Sequence, residues 1–194
     1  MLNPRSFLVA VTVALVFAAC GSEPPPPPEP VGPTPEEIEA MRQDSIRRVR
    51  EAEEAAARAE AERARQAAEA AAARAREVLT EMVFFDYDDA SLTSESEQRL
   101  RAKLDILRAN PGLQLRMEGH ADERGTSEYN IALGNERAES VIQFLTNFGL
   151  DASRFSAVSY GEERPLSSGS SEAAWARNRR VEFVITAGGN NITG

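Results

Sequence analysis

Between Gly119 and Arg137 the chain reads GHADERGTSEYNIALGNER. Asp122 stands two residues before Arg124 on a loop that Gly125 allows to turn. A second guanidinium, Arg137, follows about three turns into a helical pattern. Upstream, FDYD places Asp86 and Asp88 at the exit of a strand-like run. Such a set of carboxylates and guanidiniums could cradle something charged. The bland alternative is an internal ion pair. Catalysis is the other competitor, with Asp86 and Asp122 as an acid/base pair and His120 beside them. However, the chain has one histidine and one cysteine, too few for a His/Cys metal set or a nucleophilic triad. His120 is therefore read as a structural hydrogen-bonding residue, and no catalytic or metal residue is assigned.

Elements must hold these groups together. Val83 to Asp88 reads as a strand and its exit. A helix follows, capped by Thr93 or Ser94, buried through Leu100, Leu104 and Leu107, and ended by Asn110-Pro111-Gly112. Leu113 to Gly119 alternates as a half-buried strand. A second helix, Ser127 to Phe148, carries a stripe of Ile131, Ala138, Val141, Ile142, Leu145 and Phe148, and Gly149 closes it. Phe155 to Gly161 and Val181 to Thr186 are further strands, and SEAAWARNRR is a short helix or turn. Trp175 reads as packing, and Tyr129 and Asn130 as pocket border or helix cap. The order β-α-β-α-β-(α)-β predicts an α+β domain with helices packed on a mixed sheet. If the first two strands run parallel, their exit loops share one rim, and Asp86, Asp88, Asp122 and Arg137 meet there.

The remaining chain is not globular in composition. Of 194 residues, with net charge −9 and 42% apolar, the bulky apolar ones fall mainly in the C-terminal half. The acidity argues against nucleic acid as the main partner. No stretch reaches the roughly 18–20 apolar residues of a spanning helix. Arg5 followed by FLVAVTVALVF and Ala18-Ala19 predicts a signal peptide over 1–19. The context of Cys20 resembles a bacterial lipobox, with Phe17 where leucine is usual. That implies acylation of Cys20, stable with more than one chain. Residues 20–35 form a proline-rich linker of extended character. Residues 36–78, rich in Ala, Glu and Arg, predict one long solvated helix of about 60 Å, and with the linker a reach of about 100 Å. Residues 79–187 form the domain, and 188–194 a frayed tail.

Four segments in this order, FFDYDDASLT, GHADERGTSEYNIALGNERA, VSYGEERP and AWARNRRVEF, resemble the OmpA-like peptidoglycan-binding domains. The resemblance spans about Val83 to Ile185. It implies a non-enzymatic protein, with no cofactor, that binds the diaminopimelate of the peptidoglycan stem peptide. By resemblance Asp122 takes the ligand's ammonium and Arg137 its carboxylate. Asp86 lies at the rim, and backbone near Thr126, before the helix N-terminus, helps hold an anion. Of Arg179 and Arg180, one supports the loops and the other faces solvent. The implied partners are the stem peptide, outer-membrane lipid through acylated Cys20, and periplasmic Tol proteins. The implied location is the outer membrane, facing the periplasm. Two alternatives remain: a mechanical spacer acting through its long helix, and a cell-wall hydrolase.

Overall fold

The computed structural model describes residues 32–193. The expected signal peptide, Cys20 and most of the proline-rich linker lie outside the described residues. The chain divides into two units, residues 1–51 and 52–194. In the first, helix α1 (Pro35–Thr80) begins. Thr34 and Glu37 start it by exchanging bonds: the Thr34 N–H donates to Glu37 Oε2 at 2.7 Å, and the Glu37 N–H donates to Thr34 Oγ1 at 3.3 Å. Pro35 takes the first helical position, where its missing N–H costs nothing. Ile38, Met41, Ile46 and Val49 are exposed, as a solvated helix requires. Asp44 pairs with Arg48 at 2.6 Å and Glu54 with Arg58 at 3.5 Å, as the spacing predicts.

In the second unit, α1 ends inside the domain. Ala75 and Leu79 are buried, so the helix boundary expected at 78/79 falls within a core element. Then come β1 (Val83–Phe84), α2 (Ser94–Ala109), β2 (Gln114–His120), α3 (Ser127–Asn147), β3 (Phe155–Gly161), α4 (Glu172–Asn178) and β4 (Arg180–Ala187). Thr93 is the cap of α2, accepting from the Ser96 N–H at 3.1 Å. The sheet order is β1-β4-β2-β3. β4 runs antiparallel to both β1 and β2, while β3 is parallel to β2. β1 and β2 thus point the same way, and their exit loops leave at one end.

Alternation sorts the sheet into two faces. Leu115 and Met117 of β2 and Val181 and Phe183 of β4 join Leu100, Leu104 and Leu107 of α2 and Ala138, Val141 and Leu145 of α3 in one core. The opposite face carries Arg116, Glu118 and His120 beside Arg180 and Glu182, as the register dictates. The backbones of α3 and β2 meet at two glycines: a Cβ on Gly119 would lie 1.8 Å from the Gly134 carbonyl oxygen.

Two core expectations are corrected. Ile131 is 39% and Phe148 36% exposed, because the buried face of α3 runs through Leu133, Gly134 and Arg137 instead of Ile131, and Phe148 is the cap beyond its last turn. Phe148 packs on Phe144, with ring centroids 4.9 Å apart. The tail is not frayed throughout. Ile192 is buried, and Asn110 accepts the Thr193 N–H at 2.9 Å while donating to its carbonyl at 2.9 Å.

Candidate functional site

Arg137 is the largest fully buried side chain. The Gly119–Gly134 approach lowers α3 onto β2, and Arg137 follows one turn later. Its guanidinium donates to three carbonyls: Asp89 at 2.9 Å, His120 at 2.9 Å and Asp86 at 3.1 Å. These come from both exit loops, so one side chain ties the β1 and β2 ends together. A buried charge is tolerable when it is hydrogen-bonded in this way. Burial, with Arg179 nearby, pushes its pKa down to about 10, opposed by Asp122, Asp89 and Asp88. It stays charged at neutral pH.

Asp122 is also buried, 4% exposed, at the end of β2. Arg124 grips it through Nε on Oδ1 at 2.9 Å and Nη2 on Oδ2 at 2.7 Å, and the Arg124 N–H adds a bond at 3.1 Å. Arg179 donates to Oδ2 at 3.2 Å. Burial alone would raise the Asp122 pKa, but the bonds from Arg124 and Arg179 outweigh it and hold the carboxyl below its usual value. Arg124 itself is stacked between two rings, with its guanidinium carbon 4.0 Å from the Tyr87 centroid and 4.1 Å from that of Trp175. Trp175 Nε1 donates to Glu123 at 3.0 Å.

Asp122 and Arg137 line one cavity of about 170 Å³ together with Asp88, Arg124, Tyr129 and Asn130. Asp88 sits at φ +56°, a left-handed conformation that aspartate tolerates, and accepts the Tyr129 hydroxyl at 2.5 Å. Both charges expected at the site are therefore brought together. Asp86 is not: its side chain is exposed and lies outside the lining, and it contributes only its carbonyl to Arg137. Thr126 also lies outside the lining. It caps α3, accepting the Tyr129 N–H at 3.3 Å.

His120 supplies its carbonyl to Arg137. Its ring is buried against Tyr160, centroids 5.6 Å apart, and neither ring nitrogen has a hydrogen-bond partner among the described residues. The ring is thus packed, not bonded as expected. Burial, then Arg180, lowers its pKa to about 4. Glu118 and Glu182 lie close to it, but Arg116 and Arg180 already hold them. Arg179 is the loop-supporting arginine, donating to the Phe85 carbonyl at 3.0 Å and to Glu172 at 2.8 Å. Arg180 does not face solvent: it is 3% exposed, tied to Glu182 at 2.7 Å and to the Arg164 carbonyl at 3.1 Å.

The residues that sequence reasoning missed are Tyr87 and the role of Arg124. Spacing within DERG hinted at a local Asp–Arg turn. The two rings come from distant segments, and no local pattern announces them.

A model of the OmpA family matches residues 84–179. A crystal structure of the peptidoglycan-associated lipoprotein from Burkholderia pseudomallei is 40% identical, with TM-score 0.53, over 54% of this chain and 89% of that one. The chain belongs to the OmpA family. The OmpA-family segment also matches the peptidoglycan-associated lipoprotein of Legionella pneumophila, 42% identical over 107 residues, 55% of this chain and 61% of that protein. For that of Haemophilus influenzae the figures are 47% over 99 residues, 51% and 65%. The match thus spans under two thirds of these relatives' length. The family model's match, residues 84–179, covers the β1 and β2 exit loops and therefore every residue of the cavity named above.

Proposed function

We propose that this protein is an outer-membrane lipoprotein that tethers the membrane to peptidoglycan non-covalently, by binding the free zwitterionic end of diaminopimelate in the stem peptide. The observation that carries this reading is the pair Asp122 and Arg137, buried on one cavity and not bonded to each other. In this reading Asp122 takes the ammonium, with Asp88 adding negative charge at the rim. Arg137 takes the carboxylate. Its guanidinium has five N–H donors, and three are engaged with carbonyls, which leaves donors for a ligand. Asp86 and Thr126 act through the backbone and the α3 cap. Family membership and the relatives' names support the wall as the target. The Cys20 context supports acylation and removal of 1–19, and the proline-rich linker and α1 supply the spacer. By resemblance, the protein serves a Tol–Pal system in envelope integrity and cell division, with periplasmic Tol proteins as further partners. It carries out no reaction on the wall.

Calorimetric titration of the full-length chain with a diaminopimelate-containing stem peptide tests this. Asp122→Asn and Arg137→Ala should each weaken binding by about tens- to thousands-fold, since the surviving charge is left unpaired. A folded wild-type chain that does not bind would sink the reading and leave α1 as the functional element. Fragments released from purified wall would favour a hydrolase instead.

A further inference from the structure

Asp122 is already paired within the protein. Arg124 grips both of its oxygens, at 2.9 and 2.7 Å, the geometry in which guanidinium and carboxylate bind most strongly, and Arg179 adds a bond to Oδ2 at 3.2 Å. A ligand ammonium cannot approach both oxygens until that grip opens. Arg137 is held differently. Its partners are neutral carbonyls, and no carboxylate competes for its charge within salt-bridge distance among the described residues. The two halves of the site are therefore unequal: both are buried, but the cation has no carboxylate partner while the anion is already paired.

Arg124 also has somewhere to go. Its side chain is 28% exposed, against 4% for Asp122, and its Nη1 lies 3.6 Å from Glu172 Oε2. Glu172 is itself 64% exposed at its side chain. The flanking rings of Tyr87 and Trp175 form a slot along which the guanidinium stays stacked while it changes anions. Arg179, by contrast, is buried and fixed by the Phe85 carbonyl, so it remains on Asp122 as a permanent support.

We propose that Arg124 is an internal gate that mimics the ligand's ammonium: it holds Asp122 closed in the free protein and passes to Glu172 when a zwitterionic peptide end enters. This rests on the wall-peptide reading above and adds a specificity device to it. A ligand bearing only a carboxylate engages Arg137 but leaves the gate shut. A ligand bearing only an ammonium must displace Arg124 with no carboxylate contact to help. Only a ligand with both charges opens the site in one step.

The test uses the full-length chain and its single tryptophan. Because Trp175 stacks on Arg124, its emission reports where the guanidinium is. Wild type, Arg124→Ala and Arg124→Lys are titrated with the diaminopimelate stem peptide and with a des-amino analogue. Thermal unfolding confirms that each variant is folded. Expected is a ligand-dependent change of Trp175 emission in wild type that is absent in Arg124→Ala. Arg124→Ala should bind the stem peptide about tenfold tighter, by loss of one partly exposed competing pair. Arg124→Lys, which cannot make the fork, should fall between. The des-amino analogue should bind wild type and Arg124→Ala alike. Equal or weaker stem-peptide binding by folded Arg124→Ala would overturn the gate while leaving the wall-peptide reading intact. No binding by any chain would sink both.

Discussion

Asp122 is a carboxylate kept ionised against its own burial, and that sets a pH signature. Its folded pKa lies below the ordinary 3.8. The stability it contributes is present above 3.8 and is lost as pH falls through the lowered value. Stem-peptide affinity should accordingly stay level as pH is taken from 7 toward 4, apart from the ligand's own titration. An early loss above pH 5, measured by titration calorimetry, would mean that Asp122 is not the ammonium partner. Arg137 shows why arginine is required at its position. Only a planar fork reaches three carbonyls on two loops and still keeps donors free. The residue types at these positions were legible in the chain. The commitment of Asp122 to Arg124 was not, because the stacking rings of Tyr87 and Trp175 arrive from segments far away in sequence.

Elements position these residues through two close contacts. The first is the α3–β2 crossing. Gly119→Ala would drive a methyl to within 1.8 Å of the Gly134 carbonyl oxygen, and backbone cannot yield cheaply. We expect a loss of about 3 kcal/mol or more by urea unfolding. Affinity should fall too, because Arg137 rides on the displaced helix. The second is the α1 terminus. Lys103 of α2, fully buried, donates to the Leu79 carbonyl at 3.2 Å and the Glu81 carbonyl at 2.7 Å, and also to that of Val78. It bonds carbonyls at and just beyond the helix end, that of Val78 being shared with the Glu81 N–H at 3.4 Å. Burial lowers its pKa from 10.5 to about 8. Between those values the unfolded chain holds the proton and the folded chain does not, so stability rises with pH across that window. Lys103→Met should abolish that rise, and at pH 7 its loss through orphaned carbonyls should be offset in part by removal of the buried charge. Urea midpoints at pH 7, 8 and 10 check both. Element types and most boundaries followed from periodicity and capping residues. Thr93 capped α2 as its position implied, and β3 ran over Phe155–Gly161 as read. The α3 stripe was overextended at Ile131 and Phe148, since periodicity marks a face but not how far the sheet extends beneath it.

For the molecule as a whole, the burial pattern separates the first part of α1 from the domain. All buried side chains among the described residues lie in 52–194. Exposed ion pairs along α1 add little each, about 0.5 kcal/mol or less. Removing residues 1–51 should leave the unfolding midpoint of the remainder unchanged. Starting the chain at residue 80 should not, because Leu79 leaves the core; Leu79→Ala alone should cost about 2–5 kcal/mol. Calorimetric melting of the three chains separates these outcomes. The amino-acid sequence by itself determined the order of elements, the long helix, and which charged residues flank the exit loops. Those are local matters of propensity, period and turn chemistry, and each is written within a few residues. Only the tertiary structure decided that Leu79 and Ile192 belong to the core, that Arg180 is buried, and that Arg124 closes Asp122. Each depends on contacts between segments tens of residues apart, where burial and pairing are set by what the fold brings alongside.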